Sequence, residues 1–285
     1  MNLSEVQKIY QTELTDSEFM RLSSFIFGEY GIKMPPHKKL MLQGRLRSRL
    51  KARNMSSFSE YIDFLFSSKG QQIELVHMID VVTTNKTDFY REPDHFDFLF
   101  TKILKEFSEL NKKDIFKIWS AGCSTGEEPY TMAIILSEFM ALNPGFDFQI
   151  KATDISSRAL EHARMAIYPE NRVSVIPLSL RQNYLLRNKD RSKDEVRIIA
   201  ALRQKVSFER QNLMEIHSFS DTGFDTIFCR NTLIYFDHTT QRRVVANLCN
   251  KLQPGGYLLI GHSETIFNEH SLPLERIKPT IYRKK

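Results

Sequence analysis

The sequence has few of the features that mark membrane, secreted or metal-binding proteins. Its 285 residues contain no apolar run close to the roughly 20 residues that cross a bilayer. Residues 1–6 also lack the basic and apolar segments of a secretory signal. The three cysteines are too few and too widely spaced for a disulfide framework or a zinc site, and no histidine pair has HxxxH spacing. We therefore expect a cytoplasmic protein without a metal site and without membrane insertion.

What is present is typical of a soluble globular protein with more than one domain. Hydrophobic residues make up 41% of the chain and charged residues 26%. The net charge of +6 favours an acidic partner, whether nucleic acid, anionic lipid or protein, and does not choose among them.

Residues 1–80 have the pattern of an all-helical region. Thr15 and Glu18 have capping-box spacing at a helix start. The next helix carries an apolar stripe at helical spacing, formed by Leu42, Leu46 and Leu50. We predict a third helix beginning near Ser56 and a fourth through residues 73–79.

From about residue 114, strands alternate with helices. The predicted strands are 115–119, 148–153, 224–229 and 257–261, and the predicted helices are 127–140, 157–166 and 241–252. This alternation predicts an α/β fold with a parallel, doubly wound, Rossmann-like sheet. We expect a closing hairpin at 274–282 and a small antiparallel β insert at about 172–208. The short β segments assigned to that insert are 173–175, 184–186, 196–199 and 206–208.

The turn after the first strand, residues 122–126, indicates a nucleotide-like ligand. It is neither GxGxxG nor a P-loop with lysine. Glu127 and Glu128 would repel a pyrophosphate and would favour a cationic amine or sulfonium, and Asp154 at the end of the second strand could accept ribose hydroxyls. Together these features suggest S-adenosylmethionine. The alternative is that both glutamates merely stabilise the helix N-terminus.

Six motifs then follow one another along the chain: residues 83–92, 120–130, 152–155, 212–213, 229–237 and 261–264. In this order they resemble the chemotaxis receptor glutamate methyltransferases of the CheR type, and the resemblance covers nearly the whole chain. It implies methyl transfer from S-adenosylmethionine to glutamate side chains of chemoreceptors in sensory adaptation, leaving S-adenosylhomocysteine. The implied division is a receptor-recognition domain (1–80), a cofactor-contacting segment (81–92) and a methyltransferase domain (93–285) with the β insert.

The resemblance also implies individual roles. With the glycine turn, the cofactor-binding residues would be Asn85, Thr87, Arg91, Gly122, Glu128, Asp154, Asn212, Leu213, Arg230 and Asn231, and Glu127 stays an alternative to Glu128. Arg91, with its planar fork, and Tyr235, with its hydroxyl, are the candidates to hold the substrate carboxylate. For Arg91 the alternative is an ion pair with Glu92 or Asp94, and for Tyr235 a place at the edge of the core. Cys123 fits a tight turn better than a nucleophile, and His262 either lines the site or is a core histidine.

Residues 38–53 are strongly basic and contain no acid. Because the leucine stripe is buried, we expect the charges to share the exposed faces and to bind an acidic partner. The resemblance favours the coiled-coil helices of a chemoreceptor, contacted through Arg45, Arg47, Arg49 and Arg53. Charge reversal at Arg47 and Arg49 should then raise the KM for receptor and leave cofactor affinity unchanged.

Two other functions stay open. A nucleic-acid methyltransferase fits the charge, but the sequence has no NPPY-like tetrapeptide and no aromatic-rich basic strand, so we expect no nucleic-acid partner. A non-catalytic module that binds S-adenosylmethionine is the other alternative. For the oligomeric state we expect a monomer.

Overall fold

The computed structural model describes residue 9 and residues 11–110, 115–190, 192–267 and 271–285. Residues 1–6, from which we expect no secretory signal, lie outside the described residues, as does residue 191 within the predicted insert. The chain forms two compact units. One contains the residues up to Thr84 together with Tyr235–Asp237, and the other contains Asn85–Ile234 together with His238–Lys285.

The first unit is helical. Its described α-helices are α1 (Asp16–Tyr30), α2 (Lys39–Arg53), α3 (Phe58–Phe66), α4 (Ser68–Ile73) and α5 (Leu75–Val82), with a 3₁₀ turn at Pro36–Lys38. The capping box is confirmed, because Thr15 Oγ1 accepts from the Glu18 amide and the Glu18 carboxylate accepts from the Thr15 amide. The leucine stripe of α2 is fully buried, as predicted. The helix predicted through residues 73–79 is instead divided between α4 and α5, at Glu74.

The second unit combines helices with two sheets. Its described α-helices are α6 (Pro93–Phe98), α7 (Leu104–Glu109), α8 (Glu127–Leu142), α9 (Ser157–Met165), α10 (Leu178–Tyr184), α11 (Ala200–Gln204) and α12 (His238–Lys251). A π-helical turn at Leu99–Ile103 joins α6 to α7, and short 3₁₀ turns occupy Glu170–Val173 and Leu213–Ser218. A third 3₁₀ turn, Leu233–Tyr235, begins in this unit, and its last residue is counted with the first.

The described strands are β1 (Phe116–Ala121), β2 (Phe148–Asp154), β3 (Ile167–Pro169), β4 (Leu185–Arg187), β5 (Glu195–Ile198), β6 (Val206–Arg210), β7 (Phe224–Cys229), β8 (Leu252–Ile260), β9 (Leu274–Lys278) and β10 (Ile281–Lys284). Seven of them form a sheet in the order β6-β2-β1-β7-β8-β10-β9. The first five strands in this order are parallel, and the β9–β10 hairpin adds antiparallel to β8. The doubly wound sheet and the closing hairpin are therefore confirmed.

The small antiparallel sheet has the order β3-β5-β4. For two segments, the assignment to this sheet from sequence was wrong. Residues 206–208 lie in β6, because that strand pairs in parallel with the free side of β2, with Val206 opposite Ile150. Residues 173–175 form a turn, since both sides of β5 are already paired and the Ile176 amide donates back to the Val173 carbonyl.

This topology places the ends of the central strands together. Parallel strands present their carboxyl ends at one edge of a sheet, and this edge is where α/β folds bind ligands. Here β1, β2 and β7 end at Ala121, Asp154 and Cys229, next to the motifs singled out from sequence. No helix in the described part of the chain is both long and apolar enough to span a membrane.

Candidate active site

The turn between β1 and α8 is shaped by a glycine. Gly122 has φ +90°, and its amide donates to the Thr153 carbonyl at 2.8 Å. A Cβ at this position would lie 2.4 Å from Thr232 Oγ1. Gly122 is therefore required by both conformation and space, and it brings backbone close to the ends of β2 and β7.

Asp154 joins this turn to the end of β2. One carboxylate oxygen accepts from the Ser124 amide at 2.8 Å, and the other accepts from the Ser156 amide at 2.9 Å. The Ser124 hydroxyl in turn donates to the Asn85 carbonyl at 2.9 Å, and Asn85 Nδ2 lies 3.5 Å from Ser156 Oγ. The segment before α6, the glycine turn and β2 thus share one hydrogen-bonded network.

Glu127 and Glu128 are both buried at the start of α8, but they point to different partners. Glu128 accepts from Ser120 Oγ at 2.6 Å and from Arg230 Nε at 2.7 Å. Glu127 forms an ion pair with Arg172, at 2.7 Å, next to the small sheet. Of the two, only Glu128 is bonded to a residue at the end of β7, Arg230, so Glu128 is the carboxylate that faces the ends of the central strands.

Arg230 is almost fully buried, with 5% of its surface exposed. Besides Glu128, its guanidinium contacts Glu92 at 3.4 Å, the Arg91 carbonyl at 2.7 Å and His95 Nδ1 at 3.2 Å. We call Arg230, Glu92, Glu128 and His95 the Arg230 cluster. It holds one cation between two carboxylates, beside residues predicted to bind the cofactor.

Glu92 has no role in the sequence-based predictions beyond a possible ion pair with Arg91. Its backbone is left-handed, with φ 57°. Its carboxylate accepts from Asn231 Nδ2 at 3.1 Å and from the His262 amide at 3.2 Å. Burial alone would raise the pKa of Glu92, but the Asn231 hydrogen bond and the Arg230 charge outweigh burial and lower it. No local pattern identifies this residue, because Arg230, Asn231 and His262, which bond its carboxylate, lie more than a hundred positions away.

Arg91 and Tyr235 fall in different units. In the second unit, Arg91 Nη1 donates to the Lys86 carbonyl at 3.0 Å, and among the described residues Arg91 forms no ion pair with Glu92 or Asp94. In the first unit, the Tyr235 carbonyl accepts from the Lys33 amide at 2.8 Å. Tyr235 directly follows the loop after β7 in the chain.

That loop is held by a buried carboxylate for which sequence reasoning gave no role. Glu264 accepts from the amides of Gly261 at 2.6 Å, Asn231 at 2.9 Å and Ile234 at 3.2 Å. Burial raises the pKa of Glu264, although these amide donors lower it. Glu264 therefore ties the loop that carries Asn231 to the end of β8.

The other predicted residues lie around this edge. Thr87 is buried and its carbonyl accepts from Arg172 at 2.5 Å. Asn212 caps the 3₁₀ turn that begins at Leu213, by accepting from the Met214 amide at 3.1 Å, and Leu213 is buried.

The structure distinguishes between the alternatives given for Cys123 and for His262. The Cys123 thiol is buried, and burial together with Asp154 raises its pKa well above the ordinary value, which fits a turn residue and disfavours a nucleophile. The core-histidine interpretation of His262 was wrong, because its side chain is 49% exposed and pairs with Asp94 at 3.1 Å.

The basic helix α2 differs from its prediction. Arg49 and Arg53 both pair with Glu74, at 2.8 and 2.6 Å, and the Tyr61 hydroxyl donates to the same carboxylate at 3.0 Å. Glu74 is fully buried. We call these four residues the Glu74 cluster.

The remaining α2 arginines are bonded within their unit as well. Arg45 donates to the carbonyls of Val82 and Thr83 at the end of α5, and Arg47 to the Thr12 carbonyl at 3.3 Å. The expectation that the charges of α2 share its exposed faces was wrong for these four arginines, because acceptors within the same unit hold them half-buried, and it was right for Lys51, which is exposed.

Comparison with known proteins identifies relatives along the whole chain. The family model described as the CheR methyltransferase SAM binding domain matches residues 85–282, and that of the CheR methyltransferase all-alpha domain matches residues 17–83. A chemotaxis protein methyltransferase of Borreliella burgdorferi is 41% identical over 288 residues, covering 100% of both chains. One from Salmonella typhimurium is 34% identical, covering 92% of this chain and 88% of its own.

Proposed function

Because the chain belongs to the CheR methyltransferase family, we propose that it transfers methyl groups from S-adenosylmethionine to glutamate side chains of chemoreceptors in the cytoplasm. The observation that carries this proposal is the grouping of Gly122, Glu128 and Asp154 at the carboxyl ends of adjacent strands, beside Arg230. The chain would act in three parts: a receptor-recognition domain up to about residue 80, a cofactor-contacting segment at 81–92, and the methyltransferase domain that follows.

The residues present fit S-adenosylmethionine. Asp154 offers a carboxylate for ribose hydroxyls, and Glu128 offers one for the amine of the methionine moiety. Acids lie at the start of α8, which follows β1, and at the end of β2, and no lysine lies in the turn between β1 and α8, which suits a cationic ligand and disfavours a pyrophosphate. Asn85, Thr87, Asn212, Leu213 and Asn231 would complete the binding site.

The chemistry asks little of acid–base groups. When bound, S-adenosylmethionine supplies an electrophilic methyl group on its sulfonium. A glutamate has an ordinary pKa of about 4.3, so the substrate is ionised at neutral pH and needs no general base. The task left to the chain is to orient the carboxylate and exclude water, which can contribute about 7–11 kcal/mol to catalysis. Arg91 and Tyr235 are the side chains we propose for that task.

Receptor recognition would use α2. Because Arg45, Arg47, Arg49 and Arg53 are bonded internally, we propose that they hold α2 in place within its unit. Their charges exceed that of the one carboxylate that Arg49 and Arg53 share, so they also leave this helix with a net positive charge. The most exposed face of α2, with Gly44, Ser48 and Lys51, would contact the acidic receptor helix directly.

The decisive experiment uses tritiated S-adenosylmethionine and a receptor cytoplasmic fragment, followed by mild alkali. We expect volatile tritiated methanol, because methyl esters of glutamate are base-labile. The Tyr235→Phe and Arg91→Lys variants should reduce the initial rate, while Lys105→Glu, on the exposed side of α7, should not.

Other outcomes have distinct meanings. Alkali-resistant incorporation would indicate methylation of an amine or a nucleic acid. No incorporation, with S-adenosylhomocysteine still bound, would favour the non-catalytic module.

A further inference from the structure

His95 is fully buried in the second unit and bridges two parts of it that are distant in sequence. Its Nδ1 lies 3.2 Å from Arg230 Nη1, and its Nε2 lies 2.9 Å from Thr280 Oγ1. Thr280 occupies the turn of the β9–β10 hairpin and has left-handed backbone, with φ 65°. His95 is thus in contact both with the Arg230 cluster and with the C-terminal hairpin.

The hydrogen bonds determine the tautomer of His95. The Thr280 hydroxyl donates its proton to the Pro279 carbonyl at 2.7 Å, so it must accept from His95 Nε2–H. Nδ1 then has no proton and accepts from the Arg230 guanidinium. These contacts fit a neutral imidazole in which Nε2–H donates to Thr280 and Nδ1 accepts from Arg230, and Glu92 Oε2 lies 3.5 Å from the same Nδ1.

The same place contains three side chains of the kinds that bind metals, one carboxylate and two imidazoles, since atoms of Glu92, His95 and His262 lie within 4.8 Å of one another. The Arg230 guanidinium already brings a cation to this group, with Nη1 near both His95 and Glu92. A divalent ion there would meet that charge at close range and would have to displace it. The imidazole is better explained as a support for Arg230 than as a ligand.

We propose that His95 is a positioning residue of the cofactor site. It accepts a hydrogen bond from Arg230, Arg230 orients the Glu128 carboxylate, and the hydrogen bond to Thr280 anchors the His95 ring to the hairpin. The proposal deepens the proposed function, because it rests on Glu128 binding S-adenosylmethionine.

The test compares two replacements in the full-length protein. His95→Asn keeps an acceptor near the Nδ1 position and loses the Thr280 contact. His95→Phe keeps an aromatic ring at this place and loses both hydrogen bonds. A hydrogen bond to a charged group is typically worth enough to change affinity about tenfold. We expect His95→Phe to weaken S-adenosylhomocysteine binding, measured by calorimetry, about tenfold, and His95→Asn to restore most of that loss.

A control separates positioning from stability. Ile103→Ala removes a core side chain of the same unit and should lower the melting temperature while leaving S-adenosylhomocysteine affinity unchanged. Equal affinity losses in His95→Phe and His95→Asn, or an affinity loss in Ile103→Ala that follows its melting temperature, would overturn the proposal.

The readout is binding and not receptor methylation, so the two proposals can fail separately. If the wild-type protein binds S-adenosylhomocysteine but releases no methanol from receptor, the proposed function fails and the His95 comparison still stands. If methanol is released and His95→Phe binds S-adenosylhomocysteine like wild type, only the role of His95 is wrong.

Discussion

The Glu74 cluster and the Arg230 cluster use the same chemistry with opposite stoichiometry. In the first, one buried carboxylate holds two arginines, so the residual charge is +1. In the second, one buried arginine holds two carboxylates around a neutral imidazole, so the residual charge is −1. A positive remainder would suit the acidic receptor helix proposed as partner of the first unit, and a negative remainder would suit the sulfonium and amine of the proposed cofactor. The net charge of each cluster is therefore set by its shared member: a shared carboxylate leaves a positive cluster, and a shared arginine leaves a negative one.

The largest effect is expected from removing the shared cation. Arg230→Gln leaves two mostly buried carboxylates without their ion pair, which typically costs about 3–5 kcal/mol of unfolding free energy. Urea denaturation should show this loss, and Arg230→Lys should recover part of it, because lysine keeps the charge and lacks the planar fork. A loss below about 1 kcal/mol, the size of an exposed pair, would mean that the cluster is not electrostatically coupled.

Removing the shared anion should cost less. Glu74→Gln leaves Arg49 and Arg53 unpaired, but their side chains are 17% and 26% exposed and can still reach water. We expect a loss of about 2–3 kcal/mol, below that for a fully buried pair. The matched control is Asp63→Asn, whose partner Arg21 is 52% exposed and whose own side chain is 69% exposed. An equal effect in both variants would show that the burial of Glu74 is energetically irrelevant.

Which features of the fold and of the candidate site could be predicted depends on how far apart in sequence the contacting residues lie. The capping box at Thr15 and Glu18, the leucine stripe of α2 and the alternation around β1 and α8 are local patterns, and the structure confirms them. Edge strand β6 was misplaced because its sequence does not reveal which sheet it joins.

The partners of buried charges lie beyond any local pattern. Glu74 is 25 residues from Arg49, and Glu92 is 138 residues from Arg230. The basic run in α2 therefore looked solvent-exposed from sequence, and Glu92, His95 and Glu264 had no assigned roles.

Lowering the pH should reduce the stability of the folded chain by an amount between those of the other predictions. Burial first, and then the Arg230 charge, lower the pKa of His95 to about 4. Between the ordinary pKa of about 6.5 and this value, the unfolded chain binds a proton that the folded chain does not, so stability falls as pH falls. The slope from this group is at most about 1.4 kcal/mol per pH unit. In pH-dependent denaturation, His95→Asn should lose this part of the slope, and an unchanged slope would show that His95 does not titrate as inferred.

The smallest effect should come from the exposed face of α2. Lys51 is exposed, and the described residues place no acid in ion-pair distance of it. Lys51→Glu should therefore leave stability and S-adenosylhomocysteine binding unchanged, while the KM for a receptor fragment rises by a factor of about five, the value of roughly 1 kcal/mol per exposed charge pair. Added salt should reduce the difference from wild type, because exposed charges are screened. Charge reversal at Arg49 is a poor test of the same idea, since it would place a second carboxylate against Glu74 and destabilise the unit. If Lys51→Glu and Lys105→Glu change the receptor KM equally, the effect is one of net charge, and α2 is not the receptor-binding face.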